Sequence, residues 1–217
     1  MTRIPHAEMV DVFSRALEAR SVAADRAHKI AVILTDSTCD GVPSHGLHRF
    51  PGIVEDIETG RIVPSADAEC VGSFGALEQW DARQGPGVLT ATTAMARAVE
   101  IAQVSTMGCV ALRNANHWMR AATYGLQAAA AGCLAFSWTN TTPLMPPHGS
   151  AEKRIGNNPL CIAVPVANGD PVLLDMALSQ FSGGRTDTLR RTGGKFSVPG
   201  GYDTQGNLTT DPGEVRQ

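Results

Sequence analysis

The segment Ser44-His45-Gly46-Leu47-His48-Arg49 places an imidazole and a guanidinium four residues apart, directly behind the break Gly41-Val42-Pro43. Such a break predicts a helix opening near His45, and helix N-termini favour anions through their free N–H groups and dipole. On that helix Arg49 falls about one turn beyond His45, facing the same side, where it can grip a carboxylate with two parallel hydrogen bonds. Reduction of a 2-keto acid needs this pairing: the acid group held, and a proton donor with a pKa near neutrality at the carbonyl oxygen. The same residues would equally serve a plain helix cap with an exposed His and Arg.

Three further segments concentrate polar chemistry. Arg113-Asn114-Ala115-Asn116-His117-Trp118 follows the apolar run Cys109–Leu112, and strand ends of this kind commonly carry ligands in α/β folds. An ordinary polar turn is the alternative. Ser137-Trp138-Thr139-Asn140, Pro146-Pro147-His148-Gly149 and Arg154-Ile155-Gly156-Asn157-Asn158-Pro159 suit a loop around a ligand, or a rigid surface loop. Leu173-Leu174-Asp175-Met176-Ala177 sets one carboxylate at the end of an apolar strand, where a buried Asp needs a partner such as a histidine or a ribose hydroxyl. A cap for the next helix is the other reading. Gly85-Pro86-Gly87 supplies only part of a dinucleotide fingerprint, and no Walker or HExxH motif occurs. His45, His48 and His117 could in principle ligate a metal of a hydrolase, but no Asp or Glu adjoins them, and no metal is expected.

The elements that must position these residues form an α/β chain. Met9, Val10, Phe13 and Leu17 predict a helix behind Pro5, and Ala27, Ile30, Ala31 and Leu34 predict a second from Ala23 to about Thr38. A third runs from near His45 through Phe50, Ile53 and Ile57 to Gly60, with a kink or break at Pro51. Short strands are expected at Ala68–Val71 and Leu77–Trp80, a helix from about Leu89 to Val104, and a buried strand at Cys109–Leu112. A helix from about Met119 to Ala131 and a strand Leu134–Trp138 follow. Asn168-Gly169 between two apolar runs is a hairpin signal. The expected organisation is a helical part over residues 1–62, a mixed, partly antiparallel α/β domain with flanking helices over 63–180, and a glycine-rich segment over 181–217. That last segment offers little to pack and no closing strand or helix, so the sequence reads as cut short.

Composition narrows the classes. The 217 residues carry 43% hydrophobic and 18% charged side chains, a globular balance, with a formal net charge of -3. Nothing here attracts nucleic acid or an anionic membrane surface. No apolar run approaches the roughly 18 residues of a membrane-spanning helix, and the N-terminus lacks a signal-peptide core. Five cysteines, widely spaced and without a CxxC pair, argue against a disulfide framework, and a cytoplasmic location is expected.

Taken together, the chain resembles the malate/L-lactate dehydrogenase family that lacks a Rossmann fold. The likeness is carried by Gly41-Val42-Pro43-Ser44-His45-Gly46, Arg49-Phe50-Pro51, Leu77-Glu78-Gln79-Trp80-Asp81, Ala111 through Arg120, Trp138-Thr139-Asn140, Met145-Pro146-Pro147, Arg154-Ile155-Gly156, Asn158-Pro159-Leu160 and Asp175-Met176. It implies NADH- or NADPH-dependent reduction of a small keto acid, by resemblance a diketo sugar acid, with malate, lactate, sulfolactate or a cyclic imino acid as alternatives. It further implies His45 as proton donor, contact of Pro171, Val172, Leu173, Leu174, Asp175, Met176 and Ala177 with the nicotinamide dinucleotide, a homodimer, and a fold peculiar to the family. Chemistry placed on matching positions assigns Arg49, with Ser44 and Asn140, to the substrate and His117 to the catalytic pocket. His48 stands where relatives often carry an uncharged residue. The family continues beyond this length with a Lys-Gly segment and a later loop of the cofactor site, so weak cofactor binding, or an inactive remnant, is a further expectation.

Overall fold

The computed structural model describes residues 3–150 and 152–215. Helices α1 (His6–Glu18) and α2 (Ala24–Cys39) follow the apolar periodicity, burying Val10, Phe13 and Leu17 of one against Ala27, Ile30, Ala31 and Leu34 of the other. The third predicted helix is a correction. Two short 3-10 turns, Pro43–His45 and Leu47–Arg49, precede α3 (Phe50–Glu58). Pro51 lies in the first turn of α3, where its missing N–H costs nothing, so it starts the helix instead of kinking it. Stacking of Phe13 on Phe50, with ring centroids 3.9 Å apart, ties this start to α1.

Strands β1 (Glu69–Phe74), β2 (Leu77–Asp81) and β3 (Cys109–Arg113) form a sheet with β2 central, antiparallel to β1 and parallel to β3. Helix α4 (Gly87–Ser105) makes the crossover and packs on β3. The strand expected to be buried is instead an edge strand with Ala111 and Arg113 exposed, because α4 covers only one face. On the covered face Glu78, only 6% exposed, accepts hydrogen bonds from the Arg97 guanidinium at 2.7 and 3.1 Å and from Trp80 Nε1 at 2.8 Å.

Helix α5 (Ala122–Ala130) begins later than the apolar pattern suggests, because Met119 has φ +65° and a right-handed helix cannot contain it. Strands β4 (Ala135–Trp138), β5 (Leu160–Val166) and β6 (Gly169–Met176) form a second sheet with β5 central. Its inner side chains Ala135, Ala163 and Leu173 meet Ala128 and Ala129 of α5 and Met95 and Val99 of α4. The hairpin signal holds, with a shift. Asn168 takes the left-handed turn position at φ +57° and Gly169 already begins the strand.

The glycine-rich end departs from expectation, since it holds α6 (Gly183–Thr192) and a hairpin of β7 (Gly201–Tyr202) and β8 (Leu208–Thr209). Ser182 caps α6 by accepting from Arg185 N, and Gly193 closes it in the left-handed conformation. Two compact units result, one of Met1–Phe136 with Ile162–Leu173 and one of Ser137–Cys161 with Leu174–Gln217. The boundary expected at residue 62 thus falls inside the first unit, and the one expected at 180 inside the second. Among the described residues no helix is long and apolar enough to cross a membrane.

Candidate active site

Two backbone arrangements in the first unit present imidazoles. Position 46 abuts α2 so closely that a Cβ there would lie 2.2 Å from Thr38 Oγ1 and 2.4 Å from the Leu34 carbonyl oxygen. Thr38 Oγ1 also accepts from Leu47 N at 2.9 Å. The turn ending at His45 is therefore seated on α2 through a glycine that no larger residue could replace. His45 sits at the end of a 3-10 turn, not at the N-terminus of an α-helix, so the anion-binding dipole argument does not apply to it. Its Nδ1 lies 3.2 Å from the Ser44 hydroxyl.

The second arrangement follows β3. Asn114 at φ +52° turns the chain, and the Asn116 amide donates to the carbonyls of Arg61, Gln84 and Gly85. That amide pins the segment before α4 to the segment before α5. Asp81 at the end of β2 accepts from Arg113 and Asn114, and its carboxyl is held below the usual range chiefly by the Arg83 backbone N–H and the Asn114 amide. Met119, 5% exposed in the helical core, holds a left-handed backbone that costs a side chain of its size about 1–2 kcal/mol. Its N–H donates to His117 Nδ1 at 2.9 Å.

The two imidazoles meet, with ring centroids 5.8 Å apart and planes inclined by 32°. His117 keeps accessible surface, yet the protein packed around the ring withdraws water from it. That desolvation, reinforced by His45 when it is protonated and by Arg49 and opposed by Asp56, pushes its pKa down to about 4. At neutral pH His117 is uncharged. Arg49 is exposed, with its guanidinium over the start of α3: a Cβ at Gly52 would stand 3.6 Å from Nη1.

Of the residues singled out in the sequence, Ser44, His45, Arg49 and His117 belong to one neighbourhood of the first unit. Asn140, exposed, belongs to the second unit, as do Leu174–Ala177, while Pro171–Leu173 belong to the first. Asp175, expected to be buried, is exposed, because the end of β6 around it is itself open. From sequence Met119 counts only as a helix start and as part of the family's motif, and Asp56 goes unmarked. A left-handed residue leaves no compositional mark, and Asp56 could have been found only as a carboxylate two turns beyond Arg49. Among the described residues no three His, Cys, Asp or Glu side chains group as metal ligands.

Residues 4–217 match the family model described as malate/L-lactate dehydrogenase. A 2,3-diketo-L-gulonate reductase from Citrobacter koseri is 44% identical over 99% of this chain, which spans 64% of that relative's length. A crystal structure of malate dehydrogenase from Entamoeba histolytica superposes with a TM-score of 0.93 at 26% identity, over 98% of this chain and 59% of the other. Sulfolactate dehydrogenase from Methanocaldococcus jannaschii gives 0.86 at 30% identity, over 98% and 61%. By the reach of that model and the shared fold, the chain belongs to the malate/L-lactate dehydrogenase family.

Proposed function

We propose that this protein reduces a small 2-keto acid to the 2-hydroxy acid with NADH or NADPH. The substrate we favour is 2,3-diketo-L-gulonate, giving 3-dehydro-L-gulonate. The observation that carries this reading is the His45–His117 pair with Arg49 beside it. Arg49 pairs with the substrate carboxylate, for which its planar fork is suited. His45, as imidazolium, gives one proton to the oxygen that becomes alkoxide at the keto carbon and is left as neutral imidazole, and Ser44, against Nδ1, steadies the ring. Ser44 and Asn140 are assigned to the substrate by their chemistry at positions that match the family's motifs.

The same resemblance assigns Pro171–Ala177 to the dinucleotide. Their chemistry fits it: Val172, Leu174 and Met176 are exposed apolar side chains suited to a ring face, and the Asp175 carboxylate can accept from ribose hydroxyls. A nicotinamide bound there supplies the hydride. We further propose a homodimer working in the cytoplasm, with the small keto acid as its ligand.

The test is loss of nicotinamide absorbance when protein, NADH or NADPH and 2,3-diketo-L-gulonate are combined, with malate, lactate, sulfolactate and cyclic imino-acid partners in parallel. His45→Ala should lower turnover by about 10²- to 10⁴-fold while cofactor binding changes little. Undiminished turnover in that variant would overturn the assignment of the proton donor. Faster turnover of another acid would replace the substrate.

A further inference from the structure

We infer that His117 is a locked, neutral hydrogen-bond donor that orients the substrate and transfers no proton, and that Met119 is the positioning residue that locks it. The inference rests on the reductase reading only for what the donor meets.

The argument starts from one hydrogen bond. Met119 N donates to His117 Nδ1, so that nitrogen is an acceptor and the proton of the neutral ring sits on Nε2. The Met119 N–H needs an acceptor, and a flipped ring would face it with Cδ2–H and the other tautomer with a second N–H. The backbone that delivers it is left-handed and buried in the helical core, an arrangement that persists only where packing enforces it. Gly87 presses on the His117 carbonyl, and the Asn116 amide holds the residue before it. The ring is thus held on both sides of its own peptide.

Charge supports the same conclusion. The groups acting on His117 are His45 and Arg49, both positive when charged, and Asp56. A second proton on His117 would sit beside the cation that holds the carboxylate and beside the proton donor itself. A neutral His117 leaves a division of labour in which His45 transfers the proton and His117 only donates a hydrogen bond. Nε2–H then meets an oxygen of the substrate, the keto oxygen or a neighbouring hydroxyl, without competing for the transferred proton.

Long-range ¹H–¹⁵N spectra of the whole chain, labelled at histidine and assigned with His117→Gln, test the lock without any turnover. The expected result is an unprotonated Nδ1 and a protonated Nε2 that stay unchanged across the range in which a free imidazole titrates. A titrating His117, or a proton on Nδ1, would overturn the inference. Kinetics tests the role. His117→Gln keeps an N–H donor near the place of Nε2, so it should lose less kcat/KM than a variant without a donor and should keep both limbs of the pH profile. His117→Leu should lose about tenfold in kcat/KM, mostly through KM. If both variants instead lose kcat, together with one limb of the pH profile, His117 transfers a proton and the inference fails. Absence of turnover in the unaltered protein would count against the reductase reading, while the spectra would still decide the lock.

Discussion

Gly87 meets the main chain of His117 with no room for a side chain: a Cβ at position 87 would lie 2.2 Å from the His117 carbonyl oxygen and 2.5 Å from that of Asn116. Both obstacles are backbone atoms, which cannot swing aside as the end of a side chain could. The start of α4 and the turn that carries His117 are therefore built as one joint. This contact accounts for the second glycine of Gly85-Pro86-Gly87 without any phosphate. Gly85 is confined in the same way, by the Ala66 carbonyl oxygen 2.6 Å from its would-be Cβ.

Gly87→Ala should consequently destabilise the first unit by about 1–3 kcal/mol, the usual cost of forcing extra volume into a packed site. Thermal unfolding should register a drop of about 2–4 °C for each kcal/mol in a chain of this size. The His117 resonances should move in the same variant. An unchanged melting temperature would show that the joint yields more easily than its backbone contacts indicate.

Asn116 is the second member of that joint. Truncation to Ala would leave the carbonyls of Arg61, Gln84 and Gly85 without the amide that now serves them. We expect a loss of about 2 kcal/mol, since partners left unsatisfied cost more than the bond itself gains. Asn116→Asp is the sharper variant. It keeps the shape but turns a donor into an acceptor that faces three carbonyl oxygens, so it should be less stable than Asn116→Ala. Equal stability of the two variants would mean that water replaces the amide at little cost.

Much of this fold could be read from periodicity, and its failures share a cause. Val10, Phe13 and Leu17, like Ala27, Ile30 and Leu34, repeat at helical spacing, and the structure buries them. Where the chain leaves regular geometry the pattern carries no information. Two 3-10 turns replace the predicted helix around His45, and Met119 in a left-handed conformation delays α5. Helix α6 escaped notice because its residues are polar, and only Ser182 and Gly193 mark its ends. The candidate site shows the same division. Residue chemistry points to His45 together with Arg49, and to His117 separately. Their meeting depends on long-range packing of Gly46 on α2 and Gly87 on the His117 peptide. Neither contact has a local signature beyond the glycine itself.

Two groups make stability depend on acid, and their windows separate them. His117 has its folded pKa lowered from 6.5 to about 4, chiefly by desolvation. Below pH 6.5 the unfolded chain takes up a proton that the folded protein refuses, so stability is complete above that value and declines as pH falls toward 4. Glu78 is also lowered, from 4.5, but by hydrogen bonds from Arg97 first and Trp80 second. Its contribution is intact above its unfolded value and is lost only as pH falls through the lower, folded one. Urea midpoints measured against pH should therefore respond differently in two variants. His117→Gln should flatten the curve between about pH 6.5 and 4.5, and Glu78→Gln should flatten it only below about 4.5. A Glu78→Gln curve already altered in shape at pH 6 would assign the carboxyl a raised pKa and contradict the Arg97 contact. A His117→Gln curve that still falls between pH 6.5 and 4.5 as steeply as the unaltered protein's would mean that His117 charges freely in the folded state, which the Met119 N–H at its Nδ1 should forbid.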